Sequence, residues 1–181
     1  MNSKLTALLP LYLCAFALLA LHTKAETYAG LADMSRKVTA EGIVLLKNDQ
    51  QRLPLKPDEK IALFGRIQVD YFACGYGSGG DVKTPYTVSL LEALRQHPNI
   101  QIDETLARRY ERWCKEHPPE HGSWGNWPLN HPEMPLDPTW VKTAAKENDK
   151  AIVIIGRSAG EDRETKLEPG SYYLTEAEEQ M

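Results

Sequence analysis

Glu161 stands in the run Ser158-Ala159-Gly160-Glu161-Asp162-Arg163-Glu164. A carboxyl group placed behind a glycine on a loop, with Arg163 nearby to tune its charge, can reach into a cleft and serve as a general acid or base. A second run, Gly75-Tyr76-Gly77-Ser78-Gly79-Gly80-Asp81, has so little side chain that a ligand can approach its backbone closely. Gly75, Gly77 and Gly80 match G-x-G-x-x-G, and Asp103 follows at the distance of a ribose-binding acid. The context argues against a dinucleotide. The run lies about ten residues past the nearest strand, and the next helix begins only near Ser89, so no helix N-terminus meets the third glycine. His117 and His121 have the i, i+4 spacing of metal ligands, but Pro118-Pro119 breaks the helix that would put them on one face. No metal and no cofactor is expected. No G-x-S-x-G is present, so serine-hydrolase chemistry has no support. Tyr76, Trp124, Trp127, Tyr172 and Tyr173 cluster on or near loops, where they either anchor those loops to the core or offer flat faces to a sugar ring.

The elements that must carry these loops are legible from periodicity. Leu31, Met34 and Val38 have helical spacing within Tyr28 to Glu41, and Gly42 interrupts them. Ile43 to Leu46 reads as a short β-run. Lys60 to Phe64 is a continuous apolar run bounded by Gly65, which suits a parallel strand covered on both faces. Val88, Leu91 and Leu94 sit three apart behind the capping residue Ser89, predicting a helix to Gln96. Ile100 to Ile102 predicts a strand, Asp103 to Lys115 a helix, and His117 to Pro138 a proline- and tryptophan-rich excursion without periodicity. Thr139 to Asn148 predicts a helix and Ala151 to Ile155 a strand. Thr175-Glu176-Ala177-Glu178 is a capping box that opens a further helix. Alternating strands and helices imply an α/β fold, a partial doubly wound α/β/α sandwich with a mainly parallel sheet. Three strands are fewer than such sheets usually carry, so the chain is expected to be the first part of a larger folding unit, incomplete at its C-terminus. In open parallel sheets ligands bind beyond the carboxyl ends of the strands. The loops 65–87 and 156–174 both leave such ends and should face the same edge.

Composition narrows the partners. The 181 residues carry a formal charge of −4, which argues against nucleic acid. Leu5 to Leu21 is an uncharged stretch between Lys4 and Lys24, followed by small or polar residues up to Ala25. This pattern predicts a secretory signal over residues 1–25, with a retained membrane anchor as the alternative. An exported, periplasmic or secreted domain over residues 26–181 follows, two charges more acidic once Lys4 and Lys24 are gone. A lipid anchor on Cys14 is disfavoured by the bulk of Leu13 before it. Cys74 and Cys114 remain; in an oxidising compartment they either pair or stay as two free thiols.

Several motifs, in order, resemble the C-terminal α/β sandwich domain of glycoside hydrolase family 3, the β-glucosidase group. They are Thr39 to Asn48 (TAEGIVLLKN), Leu53-Pro54-Leu55, Lys60 to Gly65, Gly77-Ser78-Gly79, Val88 to Leu94, Ala151 to Gly156, Ser158-Ala159-Gly160-Glu161 and Gly170 to Thr175. The resemblance covers nearly all of residues 26–181 outside the 103–138 excursion. Members usually pair this domain with a (β/α)₈ barrel that donates an aspartate nucleophile, while a glutamate of the sandwich domain protonates the leaving group. The resemblance thus implies retaining hydrolysis of a β-linked glucoside or oligosaccharide, with Glu161 as general acid/base and Gly77, Ser78, Gly79, Arg157, Asp162 and Arg163 about the sugar pocket. The sandwich lies directly after the leader, as in members with permuted domain order. The usual Ser-Asp-Trp around the nucleophile has no counterpart in this sequence, and Asp162-Arg163 replaces the common glycine-containing continuation. A barrel domain or chain would have to supply the nucleophile. A noncatalytic carbohydrate-binding or scaffolding domain is the alternative of a different class.

Overall fold

The structure, a computed structural model, describes residues 30–78, 82, 84–161 and 163–181. The expected leader with Cys14, and the expected pocket residues Gly79 and Asp162 with Gly80 and Asp81, lie outside the described residues. The chain divides into two units, one up to Gln50 and one from Gln51 onward.

In the first unit, helix α1 spans Leu31–Gly42. Its apolar stripe of Leu31, Met34 and Val38 is exposed. Ile43 to Leu46, expected as a strand, forms none. Its β-branched and apolar side chains have the propensity, but a strand exists only where its backbone groups find a ladder, and these four residues pair with no strand among the described residues.

Among the described residues, the second unit is built on three parallel strands, β1 (Lys60–Phe64), β2 (Gln101–Ile102) and β3 (Lys150–Val153), in the order β2-β1-β3. In register, Lys60 faces Gln101 and Ile61 faces Ile102 on one side of β1, while Ile61 to Phe64 face Lys150 to Val153 on the other. A central parallel strand must be apolar on both faces, and Ile61 to Phe64 are all buried. Alternation then separates two cores. Ile61 and Leu63 pack with Leu91 and Ala107, whereas Ala62 and Phe64 pack with Leu106, Tyr110, Met134 and Ala144.

The covering helices are α2 (Leu90–Gln96), α3 (Glu104–Glu116), α4 (Pro138–Glu147) and the short α5 (Glu176–Glu179). Two of their starts follow the expected chemistry. Ser89 and Glu92 close a capping box on α2, and Thr175 and Glu178 close another on α5. Asp137 caps α4, with Pro138 in its first turn. Asp103 caps α3 by accepting from Thr105 and Leu106 N–H, and its other oxygen takes the Asn148 amide. That carboxylate therefore serves a helix and an interhelical bond rather than a ribose.

The chain steps from β1 outward to β2 and then returns to the opposite side as β3. The winding direction changes between β1 and β3, the switch point at which open α/β sheets form their crevice.

Candidate active site

At this switch point both long loops emerge, one after Phe64 and one after Val153. The first turns at once. Gly65, at φ +100°, lies so close to β3 that a Cβ would stand 2.1 Å from the Ile154 carbonyl oxygen. Its N–H donates to the Tyr110 hydroxyl at 2.9 Å, and the buried Gln68 amide donates to the Leu63 and Gly65 carbonyls. Burial pushes the Tyr110 phenol well above its usual pKa, so it remains a neutral partner.

The glycine-rich run and the Glu161 run then meet as a short parallel bridge. Tyr76 N–H donates to the Ala159 carbonyl at 2.9 Å, and Glu161 N–H donates to the Tyr76 carbonyl at 3.2 Å. The Ser78 backbone N–H donates to Glu161 Oε2 at 2.6 Å. Hydrogen bonding from Ser78, through its side chain and its backbone, holds the Glu161 carboxyl below the usual glutamate range. Close passage is possible because Gly75 and Gly77 have no side chains. A Cβ on Gly75 would meet the Ala159 carbonyl at 2.8 Å, and one on Gly77, which is at φ +109°, would meet Glu161 Cβ at 2.4 Å. Of the sequence-expected residues, Gly77, Ser78 and Glu161 come together here.

Arg157 does not join them. Its side chain donates from Nε to the Ser171 carbonyl, from Nη1 to Gly156 O and Glu178 Oε1, and from Nη2 to Tyr173 O and Glu178 Oε2. These five contacts match the donor capacity of a guanidinium, so Arg157 fastens the second loop to α5 and has none left for a sugar. Burial alone would raise the Glu178 carboxyl; its bonds with Arg157 and Thr175 outweigh that and hold it below the usual range. Arg163 stays on the site loop, with Nη1 donating to Asn126 Oδ1 at 3.1 Å.

The 117–138 excursion, which sequence left without a role, runs along the second loop. Ser158 N–H donates to the Leu129 carbonyl at 2.8 Å and Ser158 Oγ to the Pro128 carbonyl at 2.6 Å. Trp127 stacks on Tyr76 with ring centroids 5.6 Å apart and planes 5° apart. Its ring would lie 3.4 Å from a Cβ on Gly160. Trp127 is thus the half-buried anchor, while the exposed Trp124 meets it edge-on.

Arg66 holds both ends of this excursion. Buried to 1% exposure, it donates to the His117 carbonyl at 2.7 Å and to the Pro132 carbonyl at 2.8 Å, pairs with Asp70, and lies over the Trp113 ring. Its backbone N–H donates to Glu133, whose carboxyl is pushed up by burial. Sequence reading missed Arg66 and Glu133. The available signal was an arginine one glycine beyond a buried strand, a place where a charge needs a dedicated partner.

Cys74 and Cys114 are free thiols, so the pairing allowed by sequence is not made. Cys114 is on the buried face of α3, where desolvation pushes its pKa up to about 12. Such a thiol is a core side chain rather than an accessible nucleophile.

The glycosyl hydrolase family 3 C-terminal domain matches residues 43–181. The chain belongs to this family. The β-glucosidase of Ruminococcus albus is 40% identical over 147 residues, a match that takes in 81% of this chain and 15% of that protein. Beta-glucosidase A of Butyrivibrio fibrisolvens is 34% identical over 82% of this chain and 20% of its own length. Among solved structures, a β-glucosidase from Paenibacillus barengoltzii superposes with a TM-score of 0.81 and 47% identity, over 84% of this chain and 17% of that one. β-Glucosidase 3B from Thermotoga neapolitana, solved in complex with α-D-glucose, superposes at 0.68 with 33% identity over 82% of this chain and 21% of that one. The family 3 domain described here is therefore β-glucosidase-like, and it spans about a fifth or less of the length of these relatives.

Proposed function

We propose that this family 3 domain contributes the general acid/base, Glu161, and one wall of the sugar pocket to a retaining β-glucosidase site whose nucleophile comes from a (β/α)₈ barrel. The observation that carries this reading is the Ser78–Glu161 contact. It sets a carboxylate at the junction of two loops beyond the carboxyl ends of β1 and β3, at the switch point of the sheet. The substrate is a β-linked glucoside or oligosaccharide. The barrel aspartate, its carboxyl about 5 Å from that of Glu161, attacks the anomeric carbon, and Glu161 gives its proton to the departing glycosidic oxygen. Glu161 then takes a proton from the water that releases the sugar. In the structure Ser78 favours the ionised form. Bound sugar and barrel would exclude water from the carboxyl and raise its proton affinity, as donation requires. Ser78 and Gly77 line the wall beside it, with Arg163 on the same loop.

One half of a two-carboxylate site should not turn over substrate. The purified 181-residue chain is expected to release no p-nitrophenol from p-nitrophenyl β-D-glucoside above background. Robust release would show that the chain needs no outside nucleophile. A purely sugar-binding role would instead show cellobiose binding that survives Glu161→Gln undiminished.

A further inference from the structure

The excursion between α3 and α4 is tied to the Glu161 loop at successive residues. Asn126 accepts from Arg163, the Trp127 ring covers Gly160, and the Pro128 and Leu129 carbonyls hold Ser158. Asn130 lies against Gly170 further along, where a Cβ would stand 2.8 Å from Asn130 Oδ1. The excursion is itself folded tightly at its tip. Gly122, at φ +69°, allows its backbone to approach Asn126 and Trp127, and Asn126 N–H donates to the Ser123 carbonyl at 2.8 Å. The Arg66 clamp fixes where it leaves α3 and where it approaches α4.

Trp127 is the member that touches both loops of the site. It stacks on Tyr76, whose backbone makes the bridge to Ala159 and Glu161, and it faces Gly160, the residue before Glu161. We propose that Trp127 is a positioning residue for Glu161: its indole clamps the glycine-rich run against the Glu161 run, and this clamp fixes the carboxylate on the Ser78 N–H. The proposal rests on the reading of Glu161 as acid/base only for its consequence in catalysis. The coupling itself is a property of this chain. Gly160 is packed against both side chains, where a Cβ would stand 3.3 Å from Tyr76 Cβ and 3.4 Å from the indole.

The test uses the 181-residue chain with ¹³C-labelled glutamate and follows the Glu161 carboxyl and the Ser78 amide by NMR across pH. The groups whose charge can act on this carboxyl include Arg163 and Glu164 on its own loop and the half-buried Tyr76 on the glycine run, so each variant is compared at fixed ionic strength. In the unaltered chain Glu161 should titrate below the usual glutamate value, held there by Ser78, and the Ser78 amide should resonate at low field. Trp127→Ala should raise the Glu161 pKa toward that of an ordinary glutamate and move the Ser78 amide upfield. Tyr172→Ala, which removes an exposed ring from the same loop, should leave both unchanged. A folded Trp127→Ala chain with unaltered Glu161 titration and Ser78 amide overturns the proposal. Should that variant not fold, Ser158→Ala decides: it cuts only the bond to the Pro128 carbonyl, and it should shift both signals in the same direction by less. No shift in Ser158→Ala overturns it equally. Because no substrate enters this experiment, a failed catalytic reading would leave these shifts intact, and absent shifts would leave the catalytic reading standing.

Discussion

At the scale of single residues, the site depends on what is missing from Gly77. Its backbone is at φ +109°, and the space where a side chain would begin is taken by Glu161. Gly77→Ala should therefore destabilise the chain by at least about 1 kcal/mol, the lower end of the penalty for an L-residue held at positive φ. It should also break the Ser78–Glu161 hydrogen bond. Urea denaturation reads the first effect and the Ser78 amide shift the second; a fully stable variant that keeps the shift would show that the loops pass with room to spare. Arg157 teaches the opposite lesson. Its place in a conspicuous loop suggested a sugar contact, yet five protein acceptors surround it, and which acceptors a long side chain finds is a matter of tertiary packing that sequence spacing does not encode. Arg157→Ala leaves Glu178, only 6% exposed, without its counter-charge. The loss should be on the order of 2–3 kcal/mol at neutral pH, at or just below the low end of the cost of a broken buried pair because Arg157 keeps some contact with water. The pH dependence follows from the direction of the Glu178 shift. A carboxyl held below its ordinary value of 4.5 stabilises the fold above that value, and the contribution disappears as pH falls through the lowered pKa. The gap between Arg157→Ala and the unaltered chain should then narrow in urea melts below pH 4.5; a gap that is constant with pH would mean the pair carries no stability.

At the scale of elements, strands and helices were legible wherever a local rule and a buried face agreed. Lys60 to Phe64 reads as a buried strand and is one, because an unbroken apolar run can be satisfied only between two covering layers. The helix starts at Ser89 and Thr175 were legible from capping chemistry, which is decided within four residues, whereas the cap at Asp137, with α4 beginning at Pro138, was read as part of the excursion. Ile43 to Leu46 failed the same reading, since strand formation depends on a distant edge. The excursion was illegible for a related reason. Its order comes from Arg66, which lies 51 positions before His117 in sequence yet holds that residue's carbonyl, and no periodicity marks a segment held chiefly by hydrogen bonds to distant residues. Arg66→Ala removes the cation from a buried pair with Asp70 and frees two carbonyls at once. It should cost roughly 3–5 kcal/mol and expose the 117–138 segment to protease before the rest of the unit. Equal cleavage rates in that segment and in the sheet region would show that the clamp does not hold it.

At the scale of the whole molecule, the parallel sheet explains why two unrelated loops meet. Strands β1 and β3 run in the same direction, so their following loops leave one edge, and the reversal of winding opens the crevice between them. The candidate acid/base could be placed from sequence by its glycine-preceded loop and by family resemblance; its hydrogen-bond partner could not, because Ser78 and Glu161 are 83 positions apart. We propose export on the leader pattern of residues 1–25: N-terminal sequencing of the mature protein should begin at Glu26, and a start at Met1 would contradict a cleaved leader. The central claim is that Glu161 moves the proton to the leaving group, and a chimera tests it most directly. This chain would replace the matching segment of the R. albus β-glucosidase, and hydrolysis of methyl and 2,4-dinitrophenyl β-D-glucosides would be compared with and without Glu161→Gln. Loss of general acid catalysis should lower kcat about 10²–10⁴-fold on the methyl glucoside, whose leaving group needs a proton, while formation of the glycosyl-enzyme from the dinitrophenyl substrate is little changed. Equal losses on both substrates, or none on either, would contradict the assignment.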